Sequence, residues 1–177
     1  MEDINIKLIP PSKVEELDNG RHIIKSWLNK DEQLNSFQDN PAKIRYREGE
    51  KIHEYWYKDG KLHRDGDLPA EIKYEDGKIV MEKWYKNGEE FRDNNKPTEI
   101  SYSSMFRREI RIKKGKLHND EDIPSYIIYD TDNKIVVEKW YKEGDEHRDG
   151  DKPAYISYDE NGEIVQKKYF KEGKLIK

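Results

Sequence analysis

The stretch WYKDGKLHRDGDLPAEIKY, from Trp56 to Tyr74, decides the fold because most of it occurs again along the chain. It returns as WYKNGEEFRDNNKPTEISY at residues 84–102 and as WYKEGDEHRDGDKPAYISY at residues 140–158. A degenerate copy, RIKKGKLHNDEDIPSYIIY, occupies residues 111–129. Self-similarity at a fixed period of this size is typical of arrays built from one supersecondary unit.

The register of the copies is regular. An earlier copy with one extra residue and a truncated last copy bring the anchors to positions 27, 56, 84, 111, 140 and 169, which lie 27 to 29 residues apart. In four copies a proline follows the anchor after 13 residues, at Pro69, Pro97, Pro124 and Pro153. We therefore expect residues 1–16 to form an N-terminal cap and residues 17–177 to form one domain of tandem repeats.

Each repeat predicts a β-hairpin followed by a connector. Residues 70–74 alternate with period two, which indicates a strand, and the turn dipeptide Asp76-Gly77 follows them. Residues 78–86 are rich in Ile, Val, Trp and Tyr and predict the return strand. Neither face of these strands is wholly apolar, unlike a sheet packed on helices. The expected fold is all-β, an elongated single-layer antiparallel sheet of about six tandem β-hairpins.

The N-terminal segment carries two different signals. Residues 4–9 predict an extra strand, and Ser12-Lys13-Val14-Glu15 fits a capping box, which predicts a short helical turn. We expect this cap to protect the first hairpin from pairing with another chain, and the lysines of residues 173–177 to do the same at the other end.

The composition suits a thin sheet and excludes several classes of protein. Of 177 residues, 41% are charged and 33% are hydrophobic, the net charge is −4, and 12 tyrosines with four tryptophans add apolar area. The absence of cysteine excludes a disulfide framework, a thiolate nucleophile and a cysteine metal site. No apolar run is long enough to span a membrane, and no signal-peptide pattern is present. An intracellular, soluble protein is expected.

Side chains that recur once per repeat predict contacts between neighbouring repeats. We expect the aspartates of the His-Arg-Asp-Gly-Asp loops to accept hydrogen bonds from backbone or arginine groups, and arginines to stack on the indoles. This predicted structural ladder consists of Trp27, Trp56, Trp84, Trp140, His63, Arg64, Asp67, Pro69, His147, Arg148, Asp151 and Pro153.

Three functional interpretations of the same residues stay open beside the structural one. The loops contain possible metal ligands, but the glutamate of a calcium loop is missing. The tripeptide His63-Arg64-Asp65 matches a kinase catalytic loop, yet no other kinase motif accompanies it. One tryptophan per repeat could instead form a carbohydrate or base-stacking ribbon. No catalytic, cofactor-binding or metal-binding residue is nominated, and we expect no cofactor and no enzymatic activity.

One segment breaks the repeat. Residues 107–116 have a net charge of +5, arginine replaces the usual tryptophan anchor, and the preceding turn lacks glycine. This segment is the candidate contact for an anionic partner, against the alternative of a solvated strand face. Its cationic residues are Arg107, Arg108, Arg111, Lys113, Lys114 and Lys116.

The repeat resembles the MORN type, in which an aromatic pair is followed by glycine and histidine. The matching residues are Trp56, Tyr57, Gly60 and His63, and the set recurs from Trp140 to His147. The longer form with His-Arg-x-x-Asp-x-Pro-Ala resembles MORN-like proteins of giant DNA viruses of amoebae and, less closely, MORN-like antitoxin proteins of bacteria. Arginine stands where an ordinary MORN unit has glycine.

The resemblance implies a row of β-hairpins and supplies no catalytic residue. It implies a virus-encoded, non-enzymatic scaffold for protein–protein interaction, located in the virion or in the infected host cell. The alternative is an antitoxin-like regulator that neutralises a toxin enzyme. The expected partner is a protein rather than a nucleic acid, and both a monomer and an edge-paired dimer are compatible with the sequence.

Overall fold

A computed structural model describes residues 13–18 and 22–177, and in them the chain forms only strands, turns and loops, with no helix. The strands, in chain order, are β1 (Lys13–Asp18), β2 (His22–Leu28), β3 (Lys43–Arg47), β4 (Glu50–Tyr55), β5 (Tyr57–Lys58), β6 (Lys61–Leu62), β7 (Glu71–Glu75), β8 (Lys78–Lys83), β9 (Tyr85–Lys86), β10 (Glu89–Glu90), β11 (Glu99–Tyr102), β12 (Arg107–Ile110), β13 (Ile112–Lys113), β14 (Lys116–Leu117), β15 (Tyr126–Tyr129), β16 (Ile135–Lys139), β17 (Tyr141–Lys142), β18 (Asp145–Glu146), β19 (Tyr155–Tyr158), β20 (Ile164–Lys168), β21 (Phe170–Lys171) and β22 (Lys174–Leu175).

Twelve of these strands form one antiparallel sheet, which is not closed into a barrel. They pair in the order β1-β2-β3-β4-β7-β8-β11-β12-β15-β16-β19-β20, so each strand lies beside the sheet strands that precede and follow it in the chain. The predicted fold of consecutive hairpins is confirmed. Every connection is local, because no strand crosses over another to find its partner.

From the copy at Trp56 onwards, each predicted return strand is interrupted at its anchor, which the sequence did not indicate. β8 ends at Lys83, and after Trp84 the chain forms the two-residue strands β9 and β10, which pair only with each other. We call this small hairpin a clasp, and further clasps are β5–β6, β13–β14, β17–β18 and β21–β22. The anchor joins clasp to sheet, since the Trp84 N–H donates to Thr98 O and the Trp84 carbonyl accepts from Phe91 N–H.

Among the hairpins from β3 onwards one differs from the others, and its length explains why. In the hairpins β3–β4, β7–β8, β15–β16 and β19–β20 the register shifts by a β-bulge, whereas β11–β12 pairs without a shift. The anchors on either side of β11–β12 are 27 residues apart, the shortest spacing in the chain. Its glycine-free turn is closed by Ser103, whose Oγ accepts hydrogen bonds from the N–H groups of Met105 and Phe106.

The core is a series of small clusters rather than one interior. One cluster consists of Trp56, Ala70 and Ile72, and another of Trp140, Ala154 and Ile156. Each joins an anchor to the strand that follows the proline of its own repeat. Stability in such an array comes from each repeat and its neighbours.

The N-terminal prediction is partly wrong. The expected helical turn is replaced over residues 13–15 by β1, which pairs with β2 over its whole length. The backbone groups of β2 form ladder hydrogen bonds along that edge, and they outweigh a local capping signal. The strand predicted at residues 4–9 lies outside the described residues. No helix long and apolar enough to cross a membrane occurs in the described ranges.

Candidate functional site

The junction between two repeats is held by an aspartate of one and a tryptophan–arginine pair of the next. Arg92 donates from Nε to Asp67 Oδ1 at 2.7 Å and from Nη2 to Asp67 Oδ2 at 3.2 Å. Its guanidinium lies 3.8 Å from the ring centre of Trp84, and Trp84 Nε1 donates to the Asp67 carbonyl at 3.0 Å. A third donor, Nη1, bonds the carbonyl of Pro97 at 3.3 Å. One guanidinium therefore links three loop segments.

The aspartate–arginine pair and the stacked indole recur at two other junctions, but of the two indoles only Trp56 Nε1 donates to its aspartate carbonyl, at 2.9 Å, while the buried Trp140 Nε1 has no hydrogen-bond partner within residues 13–18 and 22–177. Asp39 pairs with Arg64, which stacks on Trp56 at 3.8 Å, and Asp122 pairs with Arg148, which stacks on Trp140 at 3.7 Å. The arginine hydrogen bonds, followed by those of Lys96 or Lys152, lower the pKa of Asp67 and of Asp122 to about 2. Arg64 and Arg148 also reach the carbonyls of Pro69 and Pro153.

Two members of the predicted ladder, Asp151 and Trp27, do not form the contacts of their counterparts in other repeats. Asp151 forms no hydrogen bond or ion pair within residues 13–18 and 22–177, which corrects the expectation that it would bond like Asp67. In the last repeat a lysine and a tyrosine replace arginine and tryptophan, and Lys177 Nζ lies 5.0 Å from the ring centre of Tyr169. Trp27 lines a small cleft with Phe37 and Pro41 instead of carrying an arginine.

The loop histidines form a second link between repeats. His63 Nδ1 accepts the backbone N–H of Asn87 in the next clasp at 3.1 Å, while its Nε2 lies 2.9 Å from Asp65. His118 and His147 accept the N–H groups of Glu143 and Glu172 in the same way. An Nδ1 acceptor places the proton on Nε2, where it donates to the aspartate. These imidazoles are engaged on both nitrogens.

At the third junction a single arginine replaces the tryptophan–arginine pair. Arg111 is the anchor, and its Nε donates to the Asn95 carbonyl at 2.8 Å, the position taken elsewhere by the indole N–H. Its Nη1 donates to the Pro124 carbonyl at 3.2 Å, the position taken elsewhere by the stacked arginine. The charged pair is absent here, because asparagines stand at 95 and 119 where other junctions have aspartate and arginine.

The clasp at this junction also lacks two bonds to its neighbour. Gly88 and Gly144 donate N–H groups to carbonyls of the preceding clasp, whereas Lys114 and Gly115 have no such partner in the described part of the chain. Phe91 stands where His63 supplies the acceptor for Asn87. A cleft of about 400 Å³ lies between the clasps β9–β10 and β13–β14.

The structure disperses the predicted anionic-partner segment. Arg107 bonds Glu109 and stacks on Tyr129, and Arg108 bonds Glu99 and Ser101 on the opposite face of the sheet. Arg111 is fixed by the carbonyls described above. The other three cations belong to the clasp β13–β14 and its turn: Lys113, which bonds Asp120, and the exposed Lys114 and Lys116. The six side chains do not form one surface.

A second ladder, which sequence reasoning missed, crosses the sheet on the tryptophan side. Each of four glutamates two residues before an anchor accepts a tyrosine hydroxyl from the next sheet strand. Tyr74 bonds Glu54 at 2.5 Å and Tyr102 bonds Glu82 at 2.8 Å, and the remaining pairs are Tyr129 with Glu109 and Tyr158 with Glu138. Burial, followed by the glutamate hydrogen bond, raises the pKa of Tyr102 to about 12. The constant spacing of Glu and Tyr was the available signal.

The remaining cavities are grooves of the repeat itself. Clefts of about 310 Å³ and 600 Å³ lie at the junctions of Trp140 and Trp56, lined by the ladder residues described above. Among the described residues no group of three or more His, Asp or Glu side chains is placed to hold a metal ion. The loop aspartates and histidines instead bond one another.

Comparisons with protein-family models, curated proteins and solved structures find no match for the chain. The resemblance to MORN-type repeats and to viral or antitoxin proteins therefore stays a prediction from the sequence.

Proposed function

We propose that this protein is a non-enzymatic repeat scaffold that binds another protein on a face of its open sheet. The observation that carries the proposal is the open sheet of twelve strands, beside which residues 13–18 and 22–177 form only two-stranded clasps and no helix. The side chains of the inner sheet strands are mostly half-buried rather than enclosed, which leaves surface for a partner. A virus-encoded origin rests on the resemblance of the repeat alone.

The structural roles of the loop histidines and junction aspartates, the residue types that could act as general acids or bases, support the same proposal. Three loop histidines bond both a carboxylate and a neighbouring backbone N–H. The junction aspartates are bound to arginines, so general acid–base chemistry would first have to break a contact that holds two repeats together.

The test is affinity capture of the tagged full chain from its native context, followed by cross-linking and mass spectrometry. We expect a discrete protein partner whose cross-links map to one face of the sheet. Capture of no protein, or turnover of a small molecule by the purified chain, would contradict the scaffold.

A further inference from the structure

The two faces of the sheet carry different charges near the N-terminal end. β3 has the sequence KIRYR, so Lys43, Arg45 and Arg47 point to one face while Ile44 and Tyr46 point to the other. None of these three cations forms an ion pair within the described ranges. The face they share is the one opposite the glutamate–tyrosine ladder.

A histidine and one more cation extend this group across the sheet. Arg45 lies directly opposite His53 on β4, and His53 lies directly opposite Lys73 on β7. Burial first, and then Arg45 and Lys73, lower the pKa of His53. The lowered pKa favours the neutral imidazole, which lies between the two cations. We call Lys43, Arg45, Arg47, His53 and Lys73 the cationic patch.

Elsewhere on the same face, the chain does not place a group of cations on neighbouring strands. Lys83 lies between Glu71 and Glu99 and bonds Glu99 at 3.1 Å. In later repeats the positions equivalent to Arg45 and Lys73 hold Ser101, Ile128 and Ser157. These two positions are therefore cationic in the first repeats alone, and the fold does not require a cation at them.

An aromatic group lies within the patch. The ring of His53 stacks on that of Tyr55, with the ring centres 5.5 Å apart. Lys43 Nζ lies 5.9 Å from the centre of the Tyr55 ring. Lys73 bonds Glu75, which is on its own strand and is 57% exposed. Two further carboxylates lie at the edges of the patch, since Glu50 is opposite Arg47 and Glu71 is opposite Tyr55, and neither is opposite Arg45 or Lys73.

We propose that the cationic patch binds an extended acidic segment of the partner protein. This inference rests on the proposed function and adds the face and the chemistry of the partner. Alternate residues of a strand are about 7 Å apart, so carboxylates at alternate positions of an extended peptide match the cations of β3. Charge complementarity of this kind orients a partner and speeds its association.

A protein segment fits better than a nucleic acid. The chain has a net charge of −4, and the opposite face carries the row of glutamates. A nucleic-acid-binding domain typically has a basic stripe along its length, whereas this patch covers only three strands.

The probe is a fluorescein-labelled synthetic peptide of alternating glutamate and serine, titrated with the full chain by fluorescence anisotropy. The matched variants are Arg45→Gln with Lys73→Gln, and Lys171→Gln with Lys174→Gln, two exposed lysines of the last clasp. We expect binding that weakens with salt, a loss of about tenfold or more in the first variant, and no change in the second.

Stability provides a second readout. Arg45 and Lys73 are like charges on either side of His53, so Arg45→Gln with Lys73→Gln should leave the melting temperature unchanged or higher, as expected for residues kept for binding. A lower melting temperature would indicate a structural role and contradict the proposal.

Three other outcomes would also overturn it: no binding of the glutamate peptide at low salt, equal binding of a glutamine–serine peptide, or tighter binding of an oligothymidylate. Self-association of the chain through the patch, measured by analytical ultracentrifugation, would show that the patch binds a second copy of this chain and would overturn the proposal of an acidic partner. If the patch variant still captures the native partner and its cross-links lie elsewhere, the scaffold stands and this inference fails.

Discussion

Asp67 shows how one carboxylate joins two repeats. Its oxygens accept hydrogen bonds from Arg92 and Lys96, and its carbonyl accepts the indole N–H of Trp84. Asp151 holds the same position in a later repeat but forms no contact of this kind in the described residues. The chain therefore contains a bonded and an unbonded aspartate at the same position of the repeat, although only Asp67 has a positive φ, of 58°.

We expect Asp67→Ala to lower the free energy of unfolding by about 1 to 2 kcal/mol, because two charge-assisted hydrogen bonds are lost and a half-buried arginine is left without its partner. Urea unfolding followed by tryptophan fluorescence measures the change. Asp151→Ala should shift stability by less than about 0.5 kcal/mol. Equal effects of the two substitutions would show that the Asp67–Arg92 pair does not hold the junction.

The same aspartates predict how stability depends on pH. Arginine hydrogen bonds depress the pKa of Asp67 and Asp122 from 3.8 to about 2 in the folded state. A depressed carboxylate pKa contributes stability above the unfolded value, and that contribution is lost as the pH falls towards the folded value. We expect the double variant Asp67→Asn with Asp122→Asn to lose less stability than the parent between about pH 4 and pH 2. Melting curves across this range test it, with Asp151→Asn as the control that keeps the parental slope.

At the scale of the repeat, the clasp is the element that the sequence did not reveal. The period, the prolines and the glycine turns predict the hairpins of the sheet, since these signals are local. The break after Lys83 depends on the Trp84 backbone bonding Phe91 and Thr98, which lie beyond the next turn of the chain. Similarly, the spacing of Asp67 from Arg92 is visible in the sequence, but their pairing depends on how two loops pack.

The dispersal of residues 107–116 has the same origin. A charge count treats the six cations as one group, whereas strand alternation sends Arg107 and Arg108 to opposite faces. Each then meets a glutamate, Glu109 or Glu99, that is already in place. The cationic patch escaped notice because its members lie on three strands and come together only through register.

The third clasp should open more often than its neighbours. The N–H groups of Lys114 and Gly115 lack the partners that Asn87 and Gly88 have. We expect hydrogen exchange at Lys114 and Gly115 to be at least about tenfold faster than at Asn87 and Gly88. Phe91→His restores an acceptor at the position of His63 and should slow exchange at Lys114 alone. Uniform exchange across the clasps would mean that these inter-repeat bonds add no protection.

At the scale of the whole molecule, the contacts described above all join a repeat to itself or to its neighbour. The two core clusters around Trp56 and Trp140 share no residue. In such an array the stability of one region depends on nearby interfaces rather than on a common interior. A defect should therefore stay close to its origin.

Trp140→Ala tests this expectation, because it removes the anchor that packs on Ala154 and Ile156 and carries Arg148. We expect hydrogen-exchange protection to fall in β16, β19 and β20, where the emptied cluster lies, by the several kcal/mol typical of a buried aromatic truncation. Protection in β2, β3 and β4 should stay at the parental level, since four sheet strands or more separate them from the defect. The reciprocal variant Trp56→Ala should reverse the pattern, lowering protection around Ala70 and Ile72 and sparing the C-terminal strands. If either substitution lowered protection equally in all strands, the sheet would unfold as one cooperative unit, and the additive view of its stability would have to be abandoned.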